Sequence, residues 1–186
     1  GSGTGVALAN LGDNVKIDPN DWGIFVKNNG DATVVAGANL DIAVDDATDL
    51  DNVGFGIYAQ SNKATDTAPG DASVEVTVGA NAKFVVNSDD GAAIAALNGA
   101  GGAGTGSVKV VTGNGLSMTV TGDGAQGIVA ATTLLAADNR GSGDVTVLTG
   151  TGAISVDSTV TVNTGNGDIA NAAGIIAASK GNVVVN

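Results

Sequence analysis

The chain has no cysteine and no histidine among its 186 residues. Disulfides, thiolate nucleophiles and cysteine-ligated metals are therefore excluded, and so are the commonest zinc ligand and the usual neutral-pH proton shuttle. Basic side chains are also scarce: seven lysines and arginines stand against nineteen carboxylates, a formal net charge of −12 with no basic run. Phosphate backbones and anionic membrane surfaces would repel such a chain, so nucleic acid is not an expected partner. Only five aromatic residues and two prolines occur. A core of large side chains is out of reach, and a narrow interior filled by Val, Ile and Ala suits the composition better. No apolar run approaches the ~20 residues of a helical membrane span, so this segment is not expected to insert directly into a bilayer.

What is present is glycine, thirty of them, and a repeated phrase. Gly-Ile-x-Ala or a near copy occurs at Gly23-Ile24-Phe25-Val26, Gly56-Ile57-Tyr58-Ala59, Ala93-Ile94-Ala95-Ala96, Gly127-Ile128-Val129-Ala130 and Gly174-Ile175-Ile176-Ala177, with isoleucine spacings of 33, 37, 34 and 47. A β-rich unit recurring at that length matches one turn of a stacked solenoid. Each turn reads as three short extended arms joined by Gly/Asn/Asp corners, because apolar residues alternate over four to six positions and then stop at turn formers.

The Gly-Ile arm predicts a core column of Ile24, Ile57, Ile94, Ile128 and Ile175 beside Val26, Ala59, Ala96, Ala130 and Ala177. A second arm follows a Gly-polar corner and carries Val34, then Val74 and Val76, Val108 and Val110, Val145 and Val147, and Val183 and Val185. A third arm follows glycines 37, 79, 115 and 152 and carries Leu40, Ile42 and Val44, then Ala82, Phe84 and Val86, Leu116, Met118 and Val120, and Ile154 and Val156. Val6-Ala7-Leu8 and Val15-Lys16-Ile17 read as the second and third arms of a preceding turn. The expectation is an all-β, right-handed parallel β-helix, a three-arm β-solenoid of about 4.5–5 turns. Residues 1–186 read as one solenoid segment cut from a longer chain, with Gly1-Ser2-Gly3 as a cloning remnant. Residues 45–53, 62–69 and 98–104 are expected to bulge as loops; residues 132–139, which lack alternation, are the one stretch open to a short helix or irregular loop; and Ser158–Asn163 is expected to prolong the third arm or pair beside it.

Candidate sites are few. Asp45, Asp46, Asp49 and Asp51 crowd one segment, and calcium favours carboxylate oxygens on short flexible loops. Their spacing matches no EF-hand, and a solvated acidic loop accounts for them better, since exposed carboxylates are the rule. Asp31, Asp71 and Asp144 share a Gly-Asp corner and are expected to stack as a carboxylate ladder, which turn chemistry explains without catalysis. Phe25, Tyr58, Val129 and Ile176, with Ala95, occupy the x of each Gly-Ile-x-Ala and should align as a partly apolar outward contact stripe. Trp22 reads as a packed corner anchor rather than a ligand platform.

Gly56-Ile57-Tyr58-Ala59-Gln60-Ser61, Gly124-Ala125-Gln126-Gly127-Ile128-Val129-Ala130 and Gly143-Asp144-Val145-Thr146-Val147 resemble the passenger repeats of monomeric autotransporters, the type V secreted proteins of Gram-negative bacteria. The resemblance covers nearly the whole chain. It implies a right-handed β-helix at the bacterial outer surface, serving as an adhesin or as the stalk that displays one, linked to virulence and followed in the full protein by a C-terminal membrane barrel. The expected role is thus non-enzymatic attachment to a protein or glycan of a host or neighbouring cell, or self-association, without cofactor. A self-assembling extracellular fibre is the first alternative. A carbohydrate-cleaving β-helix is the second, although Arg140 is the one arginine and the lysines are scattered.

Overall fold

The computed structural model describes residues 5–45, 53–61, 71–99, 105–132, 142–157 and 173–186. Among them every regular element is a β-strand. Sixteen strands follow a three-beat order, so that each pairs in parallel with the strand three places on. Sheet A stacks β1 (Val6–Leu11), β4 (Asp31–Ala36), β7 (Val74–Val78), β10 (Val108–Thr112), β13 (Val145–Leu148) and β16 (Val183–Val185). Sheet B stacks β2 (Lys16–Ile17), β5 (Asp41–Asp45), β8 (Lys83–Asn87), β11 (Leu116–Thr121) and β14 (Gly152–Asp157). Sheet C stacks β3 (Trp22–Asn28), β6 (Phe55–Ser61), β9 (Ala92–Asn98), β12 (Gln126–Ala131) and β15 (Ala173–Ala178). The described residues form a three-sided parallel β-solenoid of five three-strand rungs and the first strand of a sixth, a little longer than the repeats suggested.

Register is set by side chains that must all reach one narrow interior. The five isoleucines stack as expected, Ile24 on Ile57, Ile57 on Ile94, Ile94 on Ile128 and Ile128 on Ile175. Sheet B contributes Ile17, Ile42, Phe84, Met118 and Ile154 in one column and Val44, Val86, Val120 and Val156 in the next. Sheet A contributes columns of Ala and Val. All three sheets close on a single apolar cluster. Each fully buried Val, Ile or Phe contributes roughly 1.5–3 kcal/mol, which supports the stack without any large core. Phe84 is the one aromatic in it, and it fits because its Cδ1 lies 2.8 Å from where a side chain on Gly56 would begin.

The corners obey a second rule. A side-chain oxygen accepts the backbone N–H of a residue one rung later, or one rung earlier where Gly54 donates to Ser88 Oγ (2.7 Å), taking up a donor the strand ladder leaves over. Ala38 N–H donates to Asp13 Oδ1 (2.7 Å), Ser73 to Asp31 Oδ1 (2.8 Å), Ser107 to Ser73 Oγ (3.1 Å), Asp123 to Asp89 Oδ1 (2.8 Å), Thr151 to Asn114 Oδ1 (3.1 Å) and Asn182 to Asp144 Oδ1 (3.0 Å). At the bend from sheet A to sheet B, Asn14, Asn39 and Asn81 adopt left-handed φ values of 61°, 59° and 59°, which asparagine tolerates. Asn39 Nδ2 donates to Asn14 Oδ1 and Asn81 Nδ2 to Asn39 Oδ1, so these bends are tied into a ladder.

Two expectations are corrected here. Asp31, Asp71 and Asp144 do not form a carboxylate ladder: Ala32 pairs with Val74, which puts Asp31 over Ser73, and Val108 pairs with Val145, which puts Ser107 over Asp144. A period-two pattern is unchanged by a slip of two residues, and the Gly-Asp phrase was aligned on the wrong one of two equivalent registers. The third arms do follow Gly115 and Gly152, while the glycines that stack on one another before sheet B are Gly37, Gly79, Gly113 and Gly150. Asn98, assigned to a loop, is instead the buried last residue of β9. Residues 62–69 and Ser158–Asn163 lie outside the described residues, as do residues 133–139 of the expected loop or helix, whose first residue, Thr132, is buried.

Candidate functional site

The outer face of sheet C carries the feature that the composition makes rare. Four of the five aromatic residues meet there: Trp22 and Phe25 from β3, Phe55 and Tyr58 from β6. Pairing of Trp22 with Phe55 and of Phe25 with Tyr58 places them as two adjacent columns, one rung apart. Strict alternation would turn Trp22 inward beside Ile24. It faces out because the alternation breaks at Gly23: a side chain there would meet Ile42 Cγ2 at 2.8 Å and the Gly56 carbonyl oxygen at 2.5 Å, so glycine and isoleucine share the inner side and the residues flanking them share the outer one. Gly56 repeats the device under Phe55.

The rings pack against one another. Centroids lie 4.3 Å apart for Trp22 and Phe25, 5.5 Å for Trp22 and Tyr58, 6.0 Å for Trp22 and Phe55 in an edge-on approach, and 5.0 Å for Phe55 and Tyr58. Phe25 and Tyr58 stack at 5.4 Å with planes 12° apart. Such pairs add about 0.5–1.5 kcal/mol each beyond area burial. The cluster still leaves Trp22 39% and Phe25 46% exposed. The Tyr58 hydroxyl donates to Gln60 Oε1 at 2.9 Å, and burial holds its phenol above the ordinary tyrosine range. Lys27, stacked beside Gln60, follows on the same face, and Asp21 precedes Trp22 with its carbonyl accepting the Phe55 N–H at 3.0 Å.

Further along the solenoid the same face changes character. The column of Phe25, Tyr58, Ala95, Val129 and Ile176 is in register over its whole length, but Ala95 is 2% and Val129 4% exposed. With Ala92, Leu97 and Ala131 they form a second apolar cluster against which Phe55, Tyr58 and Ile176 pack. The stripe is thus presented to solvent at its aromatic end and withdrawn from it at the third and fourth rungs. Trp22, packed against three rings, belongs to the exposed end of this patch. Phe55 was missed from sequence, and its signal is that it precedes the Gly-Ile phrase just as Trp22 does.

Of the candidate calcium ligands, Asp45 ends β5 with Oδ1 accepting from Asn87 Nδ2 at 3.0 Å. Asp46, Asp49 and Asp51 lie outside the described residues. Among the described residues no three carboxylates converge as metal ligands would. A polar column the sequence reading passed over ends each arm of sheet C: Asn28, Ser61, Asn98, Thr132 and Ser179. Asn98 Nδ2 clamps the carbonyls of Ala72 (2.9 Å) and Gly106 (2.7 Å), and Asn28 Nδ2 those of Gly5 (2.7 Å) and Asp31 (3.0 Å). These residues fasten sheet C to the start of sheet A and have a structural role. Searches of protein-family models, of curated proteins and of solved structures each return no match for this chain.

Proposed function

We propose that this chain is a non-enzymatic attachment segment of a bacterial surface protein, a rigid solenoid that holds the Trp22–Phe25–Phe55–Tyr58 face toward a partner on another cell. The observation that carries this reading is the aromatic quartet itself. A chain with five aromatic residues invests four of them on the outside of one sheet, with Trp22 and Phe25 well exposed. Contiguous exposed apolar patches on soluble proteins mark contact surfaces, and aromatic side chains dominate binding at such surfaces. In-register stacking supplies the rigidity, since residues on neighbouring strands cannot shift independently. The likeness of its repeats to autotransporter passengers supports placement at the outer surface of a Gram-negative cell.

The reading is tested by coating beads with the protein and counting their retention on epithelial or bacterial cell layers. The double variant Phe25→Ser/Tyr58→Ser should lower retention about tenfold, the scale of one or two lost contact residues of ~1 kcal/mol or more each. Equal retention of the variant, with its β-sheet circular dichroism intact, would overturn it.

A further inference from the structure

We infer that the aromatic quartet docks a basic protein segment, with an arginine or lysine side chain laid against the exposed Trp22 and Phe25 rings. The inference rests on the attachment reading and adds to it the chemistry of the partner. Charge is the argument. The molecule carries −12, so a second copy of itself or any acidic partner meets long-range repulsion, whereas a basic segment is drawn in. Locally the carboxylates stand nearer Trp22 in the chain than the cations do: Asp21 immediately precedes it and Asp18 is exposed four residues before it, while Lys16 lies two residues further back and Lys27 on the far side of Phe25.

The rings supply the second element. A guanidinium or ammonium over the face of Trp, Phe or Tyr is attracted by the ring quadrupole, best by Trp, and more so where carboxylates lie close. Trp22 is both the best of these rings and the more acidic-flanked one. The rings already touch at 4.3–6.0 Å, leaving no cage between them, so the cation is expected on the outer surface of the cluster and not enclosed by it. Arginine suits this better than lysine because its planar, weakly hydrated guanidinium stacks on aromatic faces.

Trp22 is the sole tryptophan, so its fluorescence reports on this patch alone. The probe is a capped peptide of alternating arginine and leucine, compared with the same peptide carrying citrulline at every arginine, which keeps the shape and removes the charge. The intact chain should show a saturable fluorescence change with the arginine peptide. Affinity should fall roughly fivefold to tenfold with citrulline, with Phe25→Ala and with Asp18→Asn/Asp21→Asn, and should weaken as salt is raised. Equal affinity for the two peptides would overturn the inference, as would an arginine-peptide affinity unchanged by Phe25→Ala, or saturable binding of a neutral oligosaccharide such as cellohexaose in place of the peptide. Those results leave bead retention untouched, whereas loss of the attachment reading appears only in the retention assay.

Discussion

At the scale of single residues, buried polar atoms expose where the sequence departs from its own pattern. Thr112 ends β10 directly over Val78 and under Thr149, and its buried hydroxyl has no hydrogen-bond partner among the described residues. Thr112→Val keeps the shape and removes the desolvated oxygen, so thermal unfolding should show a gain of about 1 kcal/mol; a loss would mean the hydroxyl is satisfied. Ser61 Oγ is likewise buried and without a partner among the described residues, in the column where Asn28 and Asn98 each clamp two carbonyls, because serine is too short to do the same. Tyr58 makes a further prediction. Burial raises its pKa, so the neutral phenol is favoured by folding; the resulting stability is complete below the ordinary value near 10 and is lost as pH rises through the elevated folded value. As the one tyrosine, it can be followed by phenolate absorbance, and its midpoint should lie above that of the urea-unfolded chain.

At the scale of elements, much was legible and the remainder was hidden for a definable reason. Alternation and repeat length placed the isoleucine column and the inward residues of all three arms, since only one parity of a strand can face a narrow interior. Parity, however, is silent about a two-residue slip, and that is how Asp71 was set where Ser73 stands. It also cannot register a break in alternation, which is why Phe55 was overlooked and the ring partners of Trp22 were not foreseen. The glycine that causes the break was visible; its consequence required knowing that the Ile42 side chain of sheet B fills the space in front of it. Phe84 ties the same elements together, lying between Ile42 and Met118 on sheet B and against Gly56 on sheet C. Phe84→Ala should cost about 3–5 kcal/mol in denaturant unfolding, the range of a large buried cavity in a column that cannot collapse. A cost under 1 kcal/mol would show that neighbouring rungs close the gap.

At the scale of the whole molecule, charge and linear architecture act together. With −12 spread along an elongated stack, self-repulsion is long-ranged at low salt, and the exposed pairs Lys109–Glu75 (2.8 Å) and Lys83–Asp41 (4.0 Å) offset little of it. Raising sodium chloride from ~0.01 M to ~0.15 M shortens the screening length from about 30 Å to about 8 Å, so the melting temperature should rise by several degrees. A fall would show that local ion pairs outweigh net repulsion. Stability in such a stack is a sum of rungs and the interfaces between them, so lesions in distant rungs should add. The corners lean that sum one way. In the six bonds from Ala38, Ser73, Ser107, Asp123, Thr151 and Asn182 the acceptor belongs to the earlier rung and the donor to the later, while Gly54 N–H, donating to Ser88 Oγ at 2.7 Å, runs the other way. At those six bends a rung therefore holds out a lone pair to the stretch of polypeptide that follows it in the stack, so that cutting away an earlier rung strips the next one of an acceptor as well as of its strand partners.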